Sequence, residues 1–150
     1  MQTEYPPASG SAIFRVLVCF PIACFCGALV TDIIYAATAD FVWADFSTWL
    51  LATGIILGGI AALIGIIDFL ANRRARPVGP VWLVAVGSIV VLVLALFDNL
   101  VHSRDAWTCV VPVGLALSAV TVIVTLITAW FGAARVYRPV LAIPYSGARP

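Results

Sequence analysis

The stretch "STWLLATGIILGGIAALIGIIDFL" fills residues 47–70 and carries one charged residue, Asp68. As a helix it rises about 1.5 Å per residue, enough to cross the roughly 30 Å hydrocarbon core of a bilayer. Gly54, Gly58, Ala61, Gly65 and Asp68 recur at spacings of 4, 3, 4 and 3, one stripe of a helix in heptad register. Four of the five are small, so a second backbone can approach closely. In lipid, where apolar contact alone gives helices no reason to associate, such packing is a main source of attraction. The stretch therefore reads as a membrane span with a partner helix along its stripe.

Three further segments have the same character, at about 13–38, 81–101 and 108–132. The last carries a matching seam, Gly114, Ser118, Thr121, Thr125, Thr128 and Gly132, whose hydroxyls can bond across helices or back to their own carbonyls. A repeat near 3.5 residues predicts a left-handed bundle with crossing angles of about +20°. The expected fold is an all-α membrane protein, an antiparallel four-helix transmembrane bundle with short loops. Residues 1–12 and 133–150 are read as tails flanking a transmembrane domain at 13–132.

Composition agrees. Hydrophobic residues make up 63% of the 150 positions and charged residues only 10%, against about a quarter in soluble domains. The eight basic residues are all arginine, and their placement sets direction. Arg73, Arg74 and Arg76 lie between the second and third spans, Arg15 opens the first, and Arg135, Arg138 and Arg149 follow the fourth. The other connections hold Asp40, Asp45 and Asp105 against Arg104 alone. The positive-inside rule then puts both termini in the cytoplasm, with Trp43, Trp49 and Trp107 at the outer boundary and Trp82, Trp130 and Tyr137 at the inner one. "AATAD" at 36–40 has the small residues of a cleavage site, but the apolar stretch before it is too long for a signal core and contains Asp32. "ADFVWADF" and "HSRDAW" are expected to be tight hairpin connections, and nothing in the charge pattern suits nucleic acid.

The polar residues inside spans are the candidate site, because intramembrane carboxylates are costly and usually face the bundle interior. Asp32 and Asp98 fall towards the outer ends of their spans, with His102, Arg104 and Asp105 near in sequence. Asp68 falls near the inner end, with Arg15, Arg73 and Arg74 as potential partners. Each group reads either as ion pairing that fixes helix register or as a proton or ligand site. Pro21 removes a helix hydrogen bond and is expected to kink the first span unless a neighbour compensates. Cys24 and Cys26 point about 160° apart, and Cys19 and Cys26 stand about 10 Å apart along the axis, so no pair chelates a metal alone. The cysteines read as small hydrophobes, and no metal site is expected.

From "FPIACFCGALVTDIIYAATADFVWADFSTWLLATGIILGGIAALIGIIDFL", residues 20–70, the chain resembles the bacterial membrane family catalogued as domain of unknown function 2231. The FPI at Phe20 to Ile22, Asp32, the tryptophan before a glycine-rich second span and the G-x-x-D from Gly65 to Asp68 carry the likeness, which covers about residues 13–132. The resemblance implies a four-span inner-membrane protein whose relatives sometimes accompany redox domains such as Rieske proteins and sugar dehydrogenases. Where those relatives commonly have histidine, this chain has Phe14 or Arg15 and Pro80 or Trp82, so a haem role does not carry over and no cofactor is expected.

Three functions are weighed. An accessory subunit of a membrane redox complex, or a self-assembling homo-oligomer, suits the seams and short loops. A small transporter, or a proton or quinone site, would use the intramembrane carboxylates. An enzyme has least support, since no nucleophile–histidine pair, phosphate loop or metal motif is present. The first is the expectation from sequence, in the bacterial inner membrane with the lipid bilayer as its surroundings.

Overall fold

The computed structural model describes residues 12–71, 81–103 and 110–137. They form four long helices: α1 (Ala12–Thr38), α2 (Phe41–Ala71), α3 (Val81–His102) and α4 (Leu115–Tyr137), the last preceded by one wide turn at Val110–Gly114. Each is long and apolar enough to cross a membrane, over Val16–Thr38, Phe41–Ile67, Trp82–His102 and Val110–Ala133. Helices adjacent in sequence pack together and α4 closes the ring against α1, giving an antiparallel bundle. Trp49, Trp82 and Trp130 lie well exposed on its outer surface, where interfacial tryptophans belong.

The first connection is tighter than expected. "ADFVWADF" is helical from Phe41 onward, because Asp40 caps α2: its Oδ1 accepts from the Val42 N–H at 3.1 Å, and its carbonyl from the Trp43 N–H at 3.1 Å. Only Ala39 and Asp40 link the helices. Ala39 ends α1 at φ 54°, donating its N–H to the Tyr35 carbonyl at 2.8 Å. That is the left-handed end position usually given to glycine.

One further expectation changes. The fourth span is not one uninterrupted helix. Val111 leaves helical geometry at φ −121° and ψ 126°, as a residue before proline tends to, and its bond to Pro112 is cis. The regular helix starts at Leu115 and runs to Tyr137, past the expected end at 132. α1, by contrast, is helical without interruption through Pro21, which is buried and packs where α2 has Gly58.

The seam on α2 has found its partner within the chain. A Cβ on Gly54 would lie 2.6 Å from Phe25 Cε1 and 3.1 Å from Cys24 Cβ, and one on Gly58 would lie 3.0 Å from Leu92 Cδ2. Ala61 is also buried. On the fourth span, Gly114 in the wide turn and Ser118, Thr121 and Thr125 on α4 are buried, and Thr128 fills the gap left by Gly87 of α3. Gly132 departs from that seam, since a Cβ there would meet nothing within 4 Å.

The core is layered along the bundle axis. Phe25, Ala28, Leu51, Val91, Ala95 and Val122 form the main apolar cluster. A smaller one, Tyr35, Ala44 and Val110 with Trp43 against it, lies towards the end where α1 stops and α2 starts. Between them, one turn along each helix, are the polar residues described next.

Candidate functional site

The period that buries Phe25, Ala28 and Tyr35 on α1 also buries Thr31 and Asp32, since residues three and four apart share a helix face. The same logic buries Ser47 with Ala44 and Leu51 on α2, Asp98 with Val91 and Ala95 on α3, and Ser118 with Thr121 and Thr125 on α4. Asp32, Ser47 and Asp98 have no exposed surface, and the His102 side chain has none either. A polar layer thus receives a group from every helix and is shut between two apolar ones.

Asp32 is its hub. Oδ1 accepts from the Ser47 hydroxyl and lies 2.9 Å from His102 Nε2, while Oδ2 accepts from the Ser118 hydroxyl. Ser118 Oγ also lies 2.7 Å from Asp98 Oδ2. His102 Nδ1 lies 2.9 Å from the Asp98 carbonyl oxygen and 3.3 Å from Asp98 Oδ1. Thr31 extends the layer, with its Oγ1 2.6 Å from Ser47 Oγ and 2.9 Å from the Ala28 carbonyl. Among the described residues two buried oxygens have no hydrogen-bond partner, Asp98 Oδ1 and Thr121 Oγ1.

Of the residues expected at the outer end, Asp32, Asp98 and His102 are brought together in direct contact. Arg104 and Asp105 lie outside the described residues, as do Arg73, Arg74 and the side chains of Asp68 and Arg15, and with them the inner cluster. Ser118, a member of the α4 seam whose hydroxyls can bond across helices, does so to two carboxyl groups, Asp32 and Asp98. Ser47 was not singled out at all. Its signal was present: the α2 stripe continued backward through Leu51 at the same 3 and 4 spacing lands on Ser47. Cys24 is buried beside Gly54, Cys26 borders the main core, and Cys19 is exposed on the outer face. Among the described residues no group of three or more histidine, cysteine or acidic side chains has the arrangement to hold a metal ion. The Asp–His–Asp atoms turn towards one another instead.

Such a layer can hold protons. Asp32, Asp98 and His102 are all titratable, and the hydroxyls of Ser47 and Ser118 both donate and accept. The fold and site together define a multi-pass, four-helix membrane protein with a carboxylate–imidazole cluster enclosed between its helices. The chain belongs to the family DUF2231, described as "Predicted membrane protein", which it matches over residues 10–143. No curated protein and no solved structure matches it.

Proposed function

We propose that the protein binds and releases protons within the bilayer at Asp32, His102 and Asp98, as a small proton carrier or the proton site of a coupled transporter. The observation that carries this reading is the contact of His102 Nε2 with Asp32 Oδ1 at 2.9 Å in a fully enclosed layer. A tie serving register alone needs only hydroxyls or amides, whereas ionisable groups in a span are costly and mark proton or ion pathways. The accessory-subunit reading rests on the seams, the short loops and the lack of a catalytic constellation; of the seams, Gly54, Gly58 and Ala61 on α2 and Ser118, Thr121 and Thr125 on α4 are occupied inside the chain.

The test is proton movement. In vesicles holding a pH-sensitive dye, under an imposed pH gradient with charge compensation, the native protein should speed equilibration and Asp32→Asn should not. Equal rates for native protein, Asp32→Asn and protein-free vesicles would sink the reading. A redox partner retained through gentle extraction, with no proton movement, would restore the accessory role. We also assign the protein to the bacterial cytoplasmic membrane with both termini inside, from the arginine distribution. Cysteines added near either end should then be labelled by an impermeant reagent only after the cells are opened.

A further inference from the structure

We infer that the polar layer is an electrically neutral unit holding two titratable protons, in which Asp98 is the uncharged acid, Asp32 is the carboxylate paired with a doubly protonated His102, and Ser118 relays a proton between the two carboxyls. This rests on the reading of the layer as a proton site and states how that site is loaded.

Hydrogens can be counted atom by atom. His102 Nδ1 lies 2.9 Å from the Asp98 main-chain carbonyl, which only accepts, so Nδ1 carries a hydrogen. Ser118 Oγ has one hydrogen and touches two carboxyl oxygens, Asp32 Oδ2 and Asp98 Oδ2. Were both carboxyls ionised, one of those contacts would set a hydroxyl lone pair against a carboxylate oxygen in a site without water's screening. One carboxyl hydrogen removes the conflict.

The partners decide which carboxyl has it. Asp32 accepts from the Ser47 and Ser118 hydroxyls and lies 2.9 Å from His102 Nε2, which becomes its third donor once Nε2 is protonated, the set a carboxylate requires. Thr31 Oγ1 lies 2.6 Å from Ser47 Oγ and also 2.9 Å and 3.1 Å from the Ala28 and Gly27 carbonyls, so in the assigned arrangement its one hydrogen is given to Ser47, which leaves the Ser47 hydrogen for Asp32. Asp98 meets Ser118 at Oδ2, while Oδ1 has no hydrogen bond: it lies 3.3 Å from His102 Nδ1, whose hydrogen is given to the nearer Asp98 carbonyl. A neutral acid needs one acceptor for its hydrogen and tolerates a bare C=O far better than a carboxylate tolerates a bare oxygen. The chain of donation therefore runs from Asp98 to Ser118 to Asp32.

The charges cancel: His102 is positive, Asp32 negative and Asp98 neutral. Among the described residues the titratable groups in the layer are Asp32 from α1 and Asp98 and His102 from α3; α2 contributes the Ser47 hydroxyl and α4 the Ser118 hydroxyl. Transfer is balanced. The Asp98 Oδ2–H bond breaks as its hydrogen reaches Ser118 Oγ, and the Ser118 O–H bond breaks as its own hydrogen reaches Asp32 Oδ2. Asp98 becomes the carboxylate, Asp32 the acid, and Ser118 is again a hydroxyl. His102 stays paired through the exchange, because its Nδ1 is 3.3 Å from Asp98 Oδ1.

The chain has a single histidine, so protein labelled with ¹⁵N only in histidine gives one pair of ring-nitrogen signals in bilayers. Both should show protonated, imidazolium-type shifts. Infrared spectra should contain one buried neutral-carboxyl C=O band, lost in Asp98→Asn while the imidazolium signals persist, because the amide N–H replaces the acid as donor to Ser118. Without any substitution, ¹³C-aspartate labelling with recoupling to Nε2 should pick out a carboxyl of carboxylate shift. A neutral imidazole, no neutral-carboxyl band, or a band that survives Asp98→Asn and vanishes in Asp32→Asn would each overturn the assignment. These spectra report resident protons whether or not protons cross the vesicle. Expected spectra without flux therefore overturn the carrier reading alone, and flux with unexpected spectra overturns this assignment alone.

Discussion

At the scale of single residues, Asp32 and Ser47 touch one another yet differ in what their loss leaves behind. Asp32→Ala strips His102 Nε2, Ser47 and Ser118 of their shared acceptor in a dry layer. Breaking a buried charged pair from one side costs about 3–5 kcal/mol. Ser47→Ala removes one donor of three, and hydrogen bonds between membrane helices average only about 0.6 kcal/mol. Reversible unfolding in lipid or mild detergent should rank Asp32→Ala far below native and Ser47→Ala close to it; equal losses would show that Asp32 does not carry the charge. Asp32 and Asp98 were legible in sequence as charges inside spans, and His102 as the lone histidine beside them. Ser47 and the double contact of Ser118 were not, because a small hydroxyl residue looks the same in a packing seam and in a hydrogen-bond network.

Helix contacts show where one methyl group matters. Gly54 has Phe25 and Cys24 against it, while Gly59, next to Gly58 but off the stripe, would place a Cβ in open space. Gly54→Ala should destabilise by about 1–3 kcal/mol, as overpacking does. Gly59→Ala should be neutral or stabilising by up to about 1 kcal/mol, through helix propensity. Parallel unfolding curves check the pair, and identical shifts would mean that the seam is not closely packed. At the α1 end, Ala39 holds φ 54°, which an L side chain adopts at a cost of about 1–2 kcal/mol. Ala39→Gly should therefore raise the unfolding midpoint, an expectation that an unchanged or lower midpoint would refute. The spans were readable from length and apolarity alone. The helical start at Phe41 was missed because acidic and aromatic residues suggested a loop, whereas Asp40 acts as a cap.

For the whole molecule, the order of layers governs access. The Tyr35, Ala44 and Val110 cluster covers the polar layer on one side and the larger core on the other. Tyr35, packed edge-on against Phe41 with ring centres 6.0 Å apart, is the largest member of the cover by volume of side chain. Tyr35→Ala should admit water to the layer. Hydrogen–deuterium exchange of the buried carboxyl and imidazole protons should speed up at least about tenfold, the equivalent of about 1.4 kcal/mol in the opening equilibrium. Exchange at the native rate would mean that water enters by another route.

The sequence by itself determined the class, the number of spans and most of the packing faces of the second and fourth. Each follows from local quantities: the length of an apolar run, and the 3.5-residue repeat of small or polar side chains. Only the tertiary structure decided that Asp32, Ser47, Asp98, His102 and Ser118 share one enclosed layer. That depends on the axial offset of four antiparallel helices, the first two joined by a two-residue link after Thr38. A shift of one turn, about 5.4 Å, would move a carboxylate against an apolar layer. Offsets of that kind arise from contacts between distant segments, which no single stretch of the chain encodes.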